Sequence, residues 1–333
     1  MKNFSTIVLT LTLAFAAAAV YGQQSDRARG IELYKQGNNE EAVQLLEKAA
    51  LEPGAQADAE LWNYLGLAYL KLLQAGKAVA ALEKSINAQP ANDAYRLSLA
   101  YAYLINKKAK KARTEIDKVI KNSPKNTAAY YIRGKINFED EKYDAAIADA
   151  DFILAAEPKN AEAHSLKAEA LFYKYIAELK KGRAGLKTGY LREAAAVLGD
   201  CLKNCDKNIN AGGQNARLAV IQAFADAARR KDIDLDEPRE VPDPGFKKVK
   251  LLSKPRPIYT KEARERGISG RVRVLVLFGA DGRIPFAIVV KGVGFGLDEQ
   301  AIRAVSEIKF EPRMRDGKPV PSVAVLEYGF EIY

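Results

Sequence analysis

Pro90, Pro124 and Pro158 stand 34 residues apart. A fixed period of that length constrains the fold more than any other feature of the chain, because it builds a stack of like units rather than one closed core. The residues between the prolines repeat too. Trp62, Leu65, Gly66, Tyr69 and Ala78 lead to Pro90, Leu99, Ala100, Tyr103 and Ala112 lead to Pro124, and Gly134 and Ala146 lead to Pro158. The small residues have a physical reason: Gly66, Ala100 and Gly134 fall where a first helix meets a second, and Ala78, Ala112 and Ala146 fall on the facing helix, where bulk would push the pair apart. Each proline then ends its second helix, since the residue before a proline is biased out of the helical region.

This set of positions resembles the tetratricopeptide (TPR) repeat family. The resemblance implies an all-α solenoid over 25–231, with repeats near 59–92, 93–126 and 127–160. An earlier, less regular one at 25–58 carries Gly30, Leu33, Ala42 and Leu46 in matching places. A later one starts at Ala161 but is stretched by an insertion rich in Lys and Gly, so that its second-helix alanine is Ala194 or Ala195, and a helix near Gln214–Arg230 would cap the open end. In that family the first helices line a concave groove, which here takes Asn63, Leu67, Leu97, Tyr101, Tyr131, Lys135 and Phe138. The mixture is aromatic and aliphatic, and it does not reproduce the Lys/Asn clamp that holds a C-terminal carboxylate. The competing reading is that these aromatics pack between neighbouring repeats.

From Asp232 to Gly245 prolines and acids replace the helical pattern, which marks an extended connection at 232–245. Beyond it the period changes to 2. Val272, Val274, Val276 and Phe278 alternate along one strand, Asp281-Gly282 supplies a hairpin turn into a second at Ile284–Lys291, and Ala324, Leu326, Tyr328 and Phe330 alternate along a last one. Thr260 can cap a short helix at Lys261–Arg266, and Asp298 a second one with Ala301, Ile302, Val305 and Ile308 on its apolar face. The order is helix, strand, strand, helix, strand.

The pieces Pro257-Ile258-Tyr259, Gly267-Ile268-Ser269-Gly270, Asp281-Gly282-Arg283, Leu297-Asp298, Phe310-Glu311-Pro312 and Gly317-Lys318-Pro319-Val320 occur in the order of the C-terminal domain of TonB energy transducers. The resemblance covers about Lys250–Tyr333 of a second domain at 246–333, with Thr260 standing where that family usually has proline. It implies a small α+β domain with a three-stranded antiparallel sheet. It also implies a ligand, the TonB-box peptide of an outer-membrane transporter, added as a strand beside the last strand at Val323, Ala324, Val325, Leu326, Glu327, Tyr328 and Phe330. Open sheet edges make the same suggestion on physical grounds. Lys247–Tyr333 holds 17 basic and 10 acidic residues, a net +7 of the chain's +10, which favours an acidic partner.

Ahead of the repeats, Met1 and Lys2 lead into an apolar run at Ile7–Val20, too short for a spanning helix of about 20 residues. It reads as a signal peptide over 1–22, cleaved after Gly22, with an uncleaved signal anchor and membrane association as the alternative. Export argues for a periplasmic or envelope protein and against nucleic acid as the partner of the basic domain. It also permits Cys201 and Cys205 to pair; the alternative is two small buried side chains on one helix face. One histidine and two cysteines exclude a multi-ligand Cys/His zinc site. His164 falls at the place of Trp62 and reads as packing, Gly292–Gly296 lacks the third glycine of a dinucleotide loop, and no cofactor or catalytic motif is expected. Two functions remain: a TonB-like protein that binds partners through both modules and supports TonB-dependent transport, or a soluble periplasmic TPR scaffold without energy transduction.

Overall fold

The computed structural model describes residues 25–181, 188–205, 211–229, 246–247 and 249–331. The segment 1–22, most of the Lys/Gly insertion and the connection 232–245 lie outside these. Among the described residues eleven α-helices come first: α1 (Asp26–Lys35), α2 (Asn39–Ala49), α3 (Ala59–Lys71), α4 (Ala75–Ala88), α5 (Asp93–Ile105), α6 (Ala109–Asn122), α7 (Thr127–Glu139), α8 (Tyr143–Ala156), α9 (Ala161–Lys180), α10 (Gly189–Asn204) and α11 (Ala211–Arg229). Helices α1 and α2, α3 and α4, and α5 and α6 pair as the 34-residue period requires, and in the second unit α9 pairs with α10 and α10 with the closing helix α11.

Several repeated details set the helix boundaries. Asp58, Asn92, Asn126 and Asn160, again 34 apart, each accept from backbone N–H groups of the helix that follows, with Asp58 Oδ1 3.0 Å from the Leu61 nitrogen and Asn160 Oδ1 3.0 Å from that of Ala163. Such caps satisfy donors that a helix start otherwise leaves open. Between α3 and α4, α5 and α6, and α7 and α8 the chain turns through one left-handed residue: Leu73, Lys107 and Glu141 all have φ of 59°. The N–H of the next residue then reaches back to Tyr69, Tyr103 or Asn137, closing the end of the first helix. Glycine is the usual residue in this conformation, so these three positions carried no turn signal in the sequence.

The tight contacts fall where the small residues predict. A Cβ on Gly66 would lie 2.4 Å from Leu82 Cγ, and one on Gly30 would lie 2.8 Å from Leu46 Cγ. Ala78, Ala112 and Ala146 are wholly buried.

The chain divides into two compact units, one running to Ile136 and the other from Asn137, so the division falls inside the repeats. The first unit buries Trp62, Leu65, Tyr69, Leu82, Leu99, Tyr103 and Ile116 in one continuous core.

The second unit continues into strands and short helices: β1 (Phe246–Lys247), β2 (Lys250–Ser253), α12 (Lys261–Glu265), β3 (Gly270–Phe278), β4 (Phe286–Lys291), α13 (Leu297–Ser306), β5 (Lys309–Glu311), β6 (Arg313–Arg315), β7 (Lys318–Val320) and β8 (Ser322–Phe330). The main sheet has the antiparallel order β4-β3-β8, the expected three strands, with Gly270 opposite Phe330 and Phe278 opposite Ser322. The short pairs β2-β5 and β1-β6-β7 add to it; two- to four-residue strands are too brief to show alternation in a sequence.

One face of the sheet, with Val272, Val274, Val276, Phe278, Tyr328 and Phe330, packs on Leu297, Ala301 and Val305 of α13. The other face, with Leu275, Leu277 and Val323, shares a core with Phe172, Tyr175, Leu198, Ile221 and Phe224 of α9, α10 and α11. Two local expectations change. β4 begins at Phe286 rather than Ile284. Helix α13 starts after Gly296, with Asp298 inside its first turn, where Asp298 Oδ1 accepts from Val293 N at 2.9 Å and Gly294 N at 3.3 Å. Asp298 therefore ties down the preceding loop instead of capping its own helix.

Candidate strand-addition edge and helical groove

β8 lies at one side of the sheet, paired with β3 along its whole length. Among the described residues no strand pairs with its other side. The orientation of that side follows from one bond: Lys254 Nζ donates to the Glu327 carbonyl at 2.9 Å. The Glu327 carbonyl thus points away from β3. In an antiparallel strand the N–H and C=O of a residue point the same way and alternate along the chain. The outward groups are therefore those of Val323, Val325, Glu327 and Gly329.

The side chains of β8 are largely committed elsewhere. Ala324, Leu326, Tyr328 and Phe330 belong to the core under α13, and Val323 and Val325 to the core under the helices. What the expected binding residues offer a partner is backbone, together with Glu327 and the open position at Gly329, where an added Cβ would meet nothing within 4 Å.

Glu327 accepts from Arg271 at 2.8 Å and Arg273 at 3.1 Å. The hydrogen bond from Arg273 has the largest effect on its carboxyl and, helped by that from Arg271, holds it below the usual carboxylate range against the opposing effect of burial. Lys254 also sits over the Tyr328 ring, 4.8 Å from its centroid, and burial raises the Tyr328 hydroxyl. Two arginines thus hold the Glu327 carboxylate at this edge, and Lys254 holds its backbone carbonyl. Sequence reading named Glu327 but not Lys254, Arg271 or Arg273, because cross-strand neighbours appear only once the register is known.

Thr260 shows what its departure from the family pattern does. Its hydroxyl accepts from Ala263 N at 3.2 Å, capping α12 as expected, and donates to the Phe295 carbonyl at 2.7 Å. Phe295 is itself left-handed (φ 54°) between two left-handed glycines, Gly294 and Gly296, so this hydroxyl fixes a loop that proline could not hold.

Of the expected groove residues, Asn63, Leu67, Leu97, Tyr101, Tyr131 and Lys135 belong to the first unit and Phe138 to the second. Leu97, Tyr101 and Ile105 lie one turn apart on α5, the last two exposed and Leu97 packed against the core. Asn63 is buried, with its Oδ1 making no hydrogen bond. The Phe138 ring meets Tyr143 and Tyr173 edge to face at 5.8 and 5.3 Å, so for Phe138 the packing reading applies.

Cys201 and Cys205 are joined by a disulfide, with Cα atoms 4.8 Å apart. α10 ends at Asn204 and Cys205 is extended (φ −74°, ψ 161°), which takes the pair out of the helical geometry that disfavours a bridge. Among the described residues no helix is long and apolar enough to cross a membrane.

Residues 255–332 match the family described as Gram-negative bacterial TonB protein C-terminal, and residues 27–78, 70–127 and 108–151 match a tetratricopeptide repeat family. The chain joins tetratricopeptide repeats to a TonB C-terminal domain. Both are non-catalytic protein-interaction modules. A curated relative, Protein TonB of Pseudomonas aeruginosa, is 36% identical over 85 residues, 25% of each chain, so the match spans about a quarter of that relative's length. Among solved structures, a thermophilic TPR protein of Thermus thermophilus aligns with 59% of this chain and 97% of its own at 22% identity and a TM-score of 0.45. A MamA structure (AMB-1) aligns with 51% and 88% at 23% and 0.41.

Proposed function

We propose that this is a cell-envelope protein that takes an extended segment of a partner as a further strand beside β8, supporting TonB-dependent transport across the outer membrane. The observation that carries the reading is the outward row of backbone groups at Val323, Val325, Glu327 and Gly329, on the last strand of a TonB C-terminal domain. Main-chain bonds supply affinity in strand addition, and alternate side chains select. Arg271 and Arg273 beside the Glu327 carboxylate, with Lys254 on the Glu327 carbonyl, favour an acidic segment such as a TonB box. Envelope placement is supported by the likeness to TonB of a Gram-negative bacterium and by the signal-like residues 1–22.

The repeats hold a second protein partner in the groove marked by Asn63, Leu67, Leu97 and Tyr101. An amide buried without a bonding partner is costly unless a ligand or water meets it, and the stripe Leu97, Tyr101, Ile105 is apolar. The test is titration of an acidic TonB-box peptide into the full chain, read by backbone amide exchange. Protection confined to Val323, Val325, Glu327 and Gly329 supports strand addition; a peptide that leaves these amides unchanged rejects it and leaves the scaffold function of the repeats.

A further inference from the structure

A strand with one wet face alternates apolar and polar residues, but β3 carries Leu275 and Leu277 on the face turned away from α13, both buried. The neighbouring strands add Phe286 of β4 and Val323 of β8 to that face. Left open, it would be a continuous apolar surface of a kind that soluble proteins rarely expose. It is closed by helices of the solenoid. Phe172 of α9, Phe224 of α11 and Phe286 form a three-ring cluster in which every pair is edge to face, with centroids 5.1 Å (Phe172–Phe224), 5.4 Å (Phe172–Phe286) and 5.3 Å (Phe224–Phe286) apart. That geometry is the favoured one for aromatic pairs. α9 packs on β4 and α11 on β8, so the sheet is gripped at both of its outer strands.

We propose that this face is a permanent non-covalent clasp: helices α9–α11 are the obligatory partner of the TonB C-terminal sheet, and the clasp rather than the 232–245 connection holds the two together. A pull on a strand beside β8 would then pass through the Phe172–Phe224–Phe286 cluster into the helices. A second copy of the chain cannot stack on the same face. The proposal does not depend on what β8 binds.

The test is a site for a specific protease placed within 232–244 of the full chain, followed by cleavage and size exclusion at micromolar concentration. The expected result is that residues 246–333 co-elute with the helices after complete cleavage. In the cleaved protein Phe224→Asp is expected to release the fragment. A wild-type fragment that elutes alone after cleavage overturns the proposal whether or not the variant folds. So does a folded Phe224→Asp protein whose cleaved halves stay together as in the wild type. Peptide titration on the uncleaved chain reports separately on strand addition, so the two failures are distinguishable.

Discussion

His164 Nε2 lies 2.9 Å from the carbonyl oxygen of Pro158. The same place in earlier repeats is held by Trp62, whose Nε1 donates to Ala55 O at 2.8 Å, by Arg96, which donates to Pro90 O, and by Tyr130, whose hydroxyl donates to Pro124 O at 3.1 Å. Four unlike side chains thus tie the start of a first helix to the turn before it. His164→Phe keeps a ring but loses the bond, and is expected to cost about 1 kcal/mol. His164→Trp is expected to restore most of that loss in urea unfolding. Loss of peptide binding with unchanged stability would assign His164 to a ligand instead.

Leu73 is 87% exposed and left-handed. Its side chain contributes little packing while its backbone is strained, so Leu73→Gly is expected to stabilise the first unit by roughly 1 kcal/mol, read as a rise in Tm. A fall would mean that the unfolded-state entropy gained by glycine outweighs the relief.

Gly66 should behave in the opposite sense. Gly66→Ala places a Cβ against Leu82, which is itself fully buried, and is expected to cost about 1–3 kcal/mol by the same unfolding measurement. An unchanged Tm would show that α3 and α4 separate freely.

Asp58 pairs with Arg27 and caps α3 through Leu61 N. The hydrogen bond from Arg27 holds its carboxyl below the ordinary range. A depressed folded-state pKa gives stability that is fully present above the unfolded value of about 3.9 and is lost as pH falls through the folded value. The Tm of the wild type should therefore drop more steeply below about pH 4 than that of Asp58→Asn, which keeps a capping oxygen. Parallel curves would show that the Arg27 pair adds nothing.

Much of the architecture was legible because it repeats. The prolines, Gly66 and Ala78 marked the helix pairs, and alternation from Val272 to Phe278 marked β3. Three things were not. Asp58, Asn92, Asn126 and Asn160 are ordinary polar residues whose period matters only with the helix starts in view. Leu73, Lys107 and Glu141 adopt a turn conformation that their residue types disfavour. Leu275, Leu277 and Phe286 gave the sheet an apolar second face, but which surface covers it depends on residues a hundred positions away. The candidate site was legible as a strand and not as a chemistry: Val323–Phe330 named the edge, whereas its cations, Lys254, Arg271 and Arg273, are assembled by the register.

Gly329→Pro tests the central claim most directly. The substitution removes one outward N–H without removing a bond to β3 or a packed side chain, and proline is tolerated on the free side of an edge strand. In a calorimetric titration of the full chain with an acidic TonB-box peptide, strand addition beside β8 predicts roughly tenfold weaker binding, the equivalent of one lost hydrogen bond of about 1.4 kcal/mol, with an unchanged Tm. Equal affinity for the wild type and Gly329→Pro would contradict it.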